Sequence, residues 1–563
     1  MDHDPSDPPG PSAPILPASA AGLPPAGVAA PTGGGAVLGG GAFEGANRFD
    51  GLATWQPSIR SADAELLPDK PILDARVRDT LRNDAYVAGG ATLHKDNIVG
   101  SLFLLNAKPE TRILWGAEDE TWEREFQEEV ESKFTLWAES QSHWADAARI
   151  NTLTGLVRLA VGVYTAGGEV LASAEWMPND GRPFRSAVQM IDTDRLSTPP
   201  DRFGESNIRA GVERDRRGAP IAYHVRMAHP SDCAYGNLDI DAFRWRRVMA
   251  HKPGWGRRNI LHVYEQNRPD QSRGIAAMVA ALMEMKMTKG FRKVELQRAV
   301  VAATYAASIE SDLPGADVHA AMGADATSGN PSTQWAMDYL AAVNEYSGGA
   351  KNLLIDGAKI PVFMPGTHLK LQSPGNNGPM GDKFEASLLR HIAAPLGVSY
   401  EQLSRDYSNT NYSSARAAMG ETWKFMLARK KMVADGTGDF IYRLWLEEAI
   451  NAGGITTLRR RNAPNFYDGL NAEAYAACEW IGAGQGQIDP LKETQAAILK
   501  LKNGLSTKEH EIARLAGGDW RKVARQIARE RDLDESLGNP SVYDRDTRDA
   551  ENSLTATPRE NDA

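Results

Sequence analysis

Few residues in this chain stand at spacings that do chemistry. His94 with Asp96, and His262 with Glu265, set an imidazole beside a carboxylate, the pairing a general base needs. The stretch HEIAR at His510 starts like the zinc-binding helix of a metalloprotease, but the second histidine one turn later is missing. No GxxxxGK followed by Ser or Thr is present, so no backbone loop is built to cradle phosphates. No GxSxG stretch puts a serine on a strand-to-helix elbow. The two cysteines, Cys233 and Cys478, lie far apart and outside any CxxC or Cys/His cluster. That predicts inert thiols rather than a zinc site or a disulfide. Isolated His–carboxylate pairs occur in any long chain, and catalytic groups that meet only in space leave no mark in one sequence. The residues therefore assign no catalytic group, no metal and no cofactor, and they favour an architectural role over an enzyme.

The bulk properties set the frame for such a role. At 563 residues the chain can build several layers around sizeable cores. Its apolar content of 42% and charged content of 24% are ordinary for a globular protein. No apolar run approaches the roughly 18 residues of a membrane helix. The start, MDHDPSDPPGPSAP, is acidic and Pro-rich and does not read as a secretory signal. The formal net charge is −10. A protein that grips DNA carries a basic footprint. An acidic protein that meets DNA holds it loosely or without static binding, because every neutralised phosphate is a contact that must break.

Residues 1–48 are mostly Pro, Gly and Ala, and they cannot bury enough apolar surface to offset their ordering entropy. They are predicted to be disordered, as is the polar tail 531–563. Order is expected from near Ala62. Ala75 to Gly100 reads as a helix, and Trp122, Phe126, Val130, Phe134 and Trp137 share one face of the next. LVRLAVGVYTAGGEVLASAEW looks like a hairpin turning at Gly167-Gly168. Further strands are expected in SAVQMIDTDRL, on both sides of an Arg217-Gly218 turn, and in RNILHVYEQ. Strands framed by helices predict an α+β fold.

Ser272 is placed to N-cap a helix reaching about Val301, a rod of roughly 40 Å. Ile275, Met278, Val279, Leu282 and Met285 mark its apolar stripe, and Lys286, Lys289, Arg292 and Lys293 lie on its second half. From the residues alone, that charge run is a solvated face. Lys351 to Gly366 suggests two short strands around Asp356-Gly357. A helix then returns from Phe384, and the polar stretch 397–413 holds a loop. From near Ser414 a further helix carries Ala415, Met419, Thr422, Met426 and Val433 on one stripe. Two or three short amphipathic helices follow, separated at Asn503-Gly504 and Gly517-Gly518.

Four stretches occur in an order that resembles a known family: RNDAYVAGGATLHKDNIVG, HVYEQNRPDQSRG, LGVSYEQLSRDYS and CEWIGAGQGQIDPLKETQ. The chain is similar, from Gly51 to Glu530, to the lambda family of portal proteins, head–tail connectors of tailed double-stranded DNA phages. The resemblance implies a portal fold with an α+β wing over 49–271, a first stem helix over 272–301 and a clip over 302–383. A second stem helix over 384–396, a tunnel loop over 397–413, a long helix returning to the wing over 414–486 and a helical crown over 487–530 would complete it.

It also implies a homo-oligomeric ring of about 12 subunits, closed by a heterologous interface, at one vertex of the virion capsid. Double-stranded DNA would pass through during packaging and ejection. The partners implied are the terminase large subunit, then a head–tail connector protein, with major capsid and scaffold proteins around the ring. Assembly would take place in the host cytoplasm, without a membrane. Arg405, Asp406, Tyr407, Asn409, Asn411 and Tyr412 would form the narrowest belt of the channel. Lys286, Lys289, Arg292 and Lys293 would touch phosphates without reading bases. Lys351, Asp356 and Lys359 would sit on the clip's docking surface. For each residue an ordinary surface or intersubunit role stays equally open. Two other readings also stand at this point: a phage-encoded hydrolase or protease with a site assembled in the α+β part, and a different structural virion protein.

Overall fold

The computed structural model describes residues 54–55, 57–234, 240–305, 353–355, 358–360, 378–408, 410–460, 462–487, 489–539, 541 and 543. Residues 61–563 make one unit and residues 1–60 another. The expected disordered tract 1–48 lies outside the described residues, as does most of the tail beyond 537.

The core is organised around the aromatic helix Glu120–Ala138, which Asp119 caps by accepting from the Trp122 N–H at 3.0 Å. Trp122, Phe126, Val130, Phe134 and Trp137 are all buried, as their spacing predicts. Phe134 meets Tyr442 and Trp445 edge-on at 5.4 and 5.3 Å, and Phe103 stacks on Trp480 at 5.0 Å. Each such side chain contributes about 1.5–3 kcal/mol by leaving water. The strand Leu104–Ala107 pairs antiparallel with Cys478–Ile481, so the C-terminal half is laced into the same core.

Two antiparallel sheets flank this core. One holds Glu169–Trp176 between Ser186–Ile191 and Ile260–Tyr264. The other runs Ile208–Arg209, Val212–Arg214, Pro220–Arg226 and Trp245–Met249 in sequence order, with the expected turn at Gly218. Mixed helix and sheet is the class the sequence predicts. No described helix is long and apolar enough to cross a membrane.

Several local expectations are corrected. The predicted hairpin at Gly167-Gly168 is instead the helix Leu153–Gly167 followed by the strand Glu169–Trp176. Leu153, Leu156, Val157, Ala160 and Val161 recur at helical spacing and are buried, and Gly168 ends the helix in the left-handed conformation (φ 74°). The first helical stretch is two helices, Lys70–Asn83 and Ala85–Ile98. Asp84 breaks it with extended backbone and caps the second helix through the Tyr86 and Val87 N–H groups. Ser272 is not a helix cap. It is buried, donating its hydroxyl to Asp63 at 2.7 Å, and the helix starts at Leu282 after a 3-10 turn, Ala277–Ala281.

The returning helix is Gly378–Leu396. The polar stretch 397–413 contains a short helix, Tyr400–Ser404, closed at its start by a capping box between Ser399 and Gln402. The long helix is unbroken from Tyr412 to Asn451, with one π-helical turn at Lys430–Asp435. Thr422, Met426 and Val433 of its predicted stripe are buried, and Ala415 and Met419 half-buried. Three capped helices end the fold: Pro490–Lys502, Lys508–Ala516 and Trp520–Leu537. The breaks fall at the expected glycines, but the last helix continues to Leu537, into the tail expected to lack structure.

Candidate functional site

The helices Leu282–Tyr305 and Gly378–Leu396 run antiparallel, because Glu284 faces His391, Phe291 faces Phe384 and Arg292 faces Glu385. On the first of them, Lys286, Lys289 and Lys293 are exposed and follow one another at helical spacing. No ion pair engages them among the described residues. Arg292 differs from its neighbours. It donates to Glu385 at 2.7 Å and lies over the Tyr86 ring at 4.4 Å, so its charge is spent inside the fold.

Arg405, Asp406 and Tyr407 are exposed on the turn between the helices Tyr400–Ser404 and Tyr412–Arg429. Arg405 takes up the left-handed conformation at φ 58°, which closes the short helix. Asp406 accepts from the Ser408 hydroxyl and N–H, and these bonds hold its carboxyl below the usual range. Asn411 is the N-cap of the long helix, accepting from the Ser414 N–H at 2.8 Å, and Tyr412 is that helix's first residue with Lys492 over its ring. Asn409 lies outside the described residues. No hydrogen bond or ion pair joins this turn to Lys286, Lys289 or Lys293 among the described residues. Lys351 and Asp356 also lie outside them, and Lys359 belongs to the strand Ala358–Ile360, which pairs with Leu353–Ile355.

The residues weighed for catalysis are otherwise occupied. His262 does not pair with Glu265. Its Nε2 meets Glu169 at 3.2 Å, and Glu265 instead pairs with Arg429. His94 meets the Leu396 carbonyl at 2.8 Å, and burial lowers its pKa to about 4. Asp96 pairs with Arg158. Burial pushes the Cys478 thiol well up, away from the reactive thiolate. Asp192, Asp194 and His229 converge, but the Arg78 guanidinium already supplies the positive charge there, 2.9 Å from Asp194.

The strongest constellation was not singled out from the residues. Glu169 is completely buried and accepts from Arg273, His262 and the Gly274 N–H, with the Lys70 ammonium paired to it at 3.3 Å. Burial alone would raise its carboxyl, and the Arg273 charge overrides that and holds it well below its ordinary value. Arg273 also donates to the carbonyls of Leu196, Thr193 and Ala210. The Arg273 end of this hub lies in HVYEQNRPDQSRG. Its partner is 104 residues away, and no local pattern links the two. The hub is a fastening between elements, with its carboxylate wholly out of reach of solvent.

Comparison with known proteins matches this picture. Residues 50–430 match the family of phage portal proteins, lambda family. Portal protein B of Escherichia phage lambda is 36% identical over 481 residues, 85% of this chain and 87% of that one. The portal protein of Escherichia phage N15 is 37% identical over 480 residues, again 85% and 87% of the two chains. Among solved structures, the neck of an empty GTA particle is similar at a TM-score of 0.38 and 14% identity, over 82% of this chain and 94% of that one, too loosely to add to the argument. With a match over most of its length, the chain belongs to the lambda family of phage portal proteins, structural components of the virion and not enzymes.

Proposed function

We propose that copies of this chain close into a ring of about 12 subunits through a heterologous interface, at one capsid vertex, and that the ring is the conduit for double-stranded DNA in packaging and ejection. In this reading the antiparallel helices Leu282–Tyr305 and Gly378–Leu396 are the stem, and the segment between them is the clip. The clip, with Lys351, Asp356 and Lys359, docks the terminase large subunit and later a head–tail connector protein. The α+β part up to residue 271 is the wing, packed among major capsid and scaffold proteins, and the helices after Asp489 are the crown. Assembly takes place in the host cytoplasm.

The observation that carries the reading is the charge layout of the stem. Lys286, Lys289 and Lys293 are exposed and without an ion pair among the described residues, in a chain whose net charge is −10. A few mobile cations touch phosphates weakly, and the acidic remainder keeps DNA from sticking. Arg292, committed to Glu385 and Tyr86, holds the stem together. The stretch 397–413 at the head of the long helix is the tunnel loop, and Arg405, Asp406, Tyr407, Asn409, Asn411 and Tyr412 are the residues that meet the passing strand.

Electron microscopy of the purified chain tests this. Rings of about a dozen subunits with an open centre are expected. Monomers or dimers that persist across salt and protein concentration would overturn it.

A further inference from the structure

The wing carries a groove of about 710 Å³ that the portal reading does not use. Its walls hold two tryptophans that a soluble surface seldom leaves open: Trp176 is 52% exposed and Trp255 51%. Trp255 is held in place by stacking on Tyr467 at 5.6 Å, with planes 12° apart. Both indoles have a guanidinium above them, Arg185 over Trp176 at 5.8 Å and Arg257 over Trp255 at 6.0 Å.

The acids of the groove are already engaged. Glu448 uses both oxygens on the Arg185 and Ser186 N–H groups, at 2.7 and 2.8 Å. Glu447 accepts from the Tyr467 hydroxyl at 3.0 Å and stands 3.9 Å from Arg257. The cations are not matched in the same way. The Arg185 guanidinium is exposed and has no ion pair among the described residues, whereas Arg257 faces Glu447 and its Nε is buried. The groove therefore presents flat rings together with one unpaired guanidinium, that of Arg185.

An occupant that complements both features offers flat apolar faces at short intervals and carboxylates between them. An extended proline-rich strand does this at little entropic cost: its three-residue turn lays rings against aromatic walls, and it brings no internal hydrogen bonds to break. We infer that this groove is a docking site for an acidic, proline-rich segment of a protein partner, with its rings on Trp176 and Trp255 and a carboxylate on Arg185.

The test uses the full-length chain and a fluorescent synthetic peptide of repeating Asp-Pro-Pro, read by anisotropy. Saturable binding is expected, weakened about tenfold or more by Trp176→Ala and by Arg185→Gln, as anchors of this type behave. Both side chains are solvent-facing, so folding is unaffected, and a melting curve checks it. A repeat of Asp-Ala-Ala, which keeps the charge and loses the rings, should bind at least tenfold more weakly, as should Lys-Pro-Pro. No binding of Asp-Pro-Pro, equal binding of Asp-Ala-Ala, or indifference to both substitutions would each overturn the assignment. If the groove is covered by a second copy, the peptide fails to bind assembled rings, and that too refutes it.

Discussion

Arg273 and Glu169 form an ion pair wholly inside the protein, at 2.6 Å, across 104 residues of chain. The guanidinium is satisfied on its other side by three backbone carbonyls, and the carboxylate is shared with Lys70, His262 and the Gly274 N–H. The pair joins the central strand Glu169–Trp176 to the segment that leads into the helix Leu282–Tyr305.

Removing either partner strips a buried charge of its main counter-ion, Lys70 alone remaining as a lasting cation beside Glu169, and breaking such a pair typically costs about 3–5 kcal/mol. Arg273→Met and Glu169→Gln should each lower the unfolding free energy by that order, measured by denaturant titration. A loss under ~1 kcal/mol for both would mean that the pair is not a fastening.

Beside the pair, Gly168 and Gly274 pass almost in contact. A Cβ on Gly274 would stand 2.2 Å from the Gly168 carbonyl oxygen, and one on Gly168, at φ 74°, would stand 2.0 Å from the Ile275 carbonyl carbon. Backbone on both sides leaves no room to give. Gly274→Ala is expected to abolish soluble folded protein, whereas Gly204→Ala, with open space around it, should express normally. Equal yields would contradict the close approach.

The stem cations should divide by role. Replacing Lys286, Lys289 and Lys293 together by Ala is expected to leave the unfolding free energy within about 0.5 kcal/mol of the parent, as surface changes do, while lowering the fraction of DNA-filled heads in a packaging assay. Arg292→Ala should instead cost about 1–2 kcal/mol by releasing Glu385 and Tyr86. Identical stability losses for the two variants would remove the distinction.

Burial raises the Glu131 carboxyl from 4.5 to about 7; its oxygen accepts from the Ala107 N–H and from Gln127, both at 2.9 Å, and no ion pair reaches it among the described residues. The folded chain holds that proton more tightly than the unfolded one, so this stability is full below pH 4.5 and is lost as pH climbs to about 7. His94 acts in the opposite sense. Its pKa falls from 6.5 to about 4, so its share is full above 6.5 and is lost as pH drops. The two oppose each other in the wild type, so the comparison must use a variant. Glu131→Gln should gain on the parent by on the order of 1–3 kcal/mol between pH 5 and 8. A pH-independent difference in calorimetry would refute it.

Much of this was legible in the sequence. The stripe Trp122, Phe126, Val130, Phe134 and Trp137 could serve no purpose except a buried face, and the glycines at 504 and 517 could hardly do other than end helices. Family motifs in order gave the portal assignment, because they are contiguous stretches that one chain displays by itself. Local chemistry also marked Lys286, Lys289, Arg292 and Lys293 as one charge run.

Only the tertiary structure separated Arg292 from that run, since Glu385 and Tyr86 come from segments about 93 and 206 residues away and contact over such separations is set by packing, not by neighbours in sequence. The same reason hid the partner of His262, which local spacing gave as Glu265 and the fold supplies as Glu169. It also turned LVRLAVGVYTAG from an expected strand into a helix: β-branched residues favour strands only weakly, and burial of one helical face against the core outweighs that preference. Periodicity and motif order are properties of the chain itself. Charge pairing, close backbone approach and the groove between Trp176 and Trp255 exist only after distant segments have met.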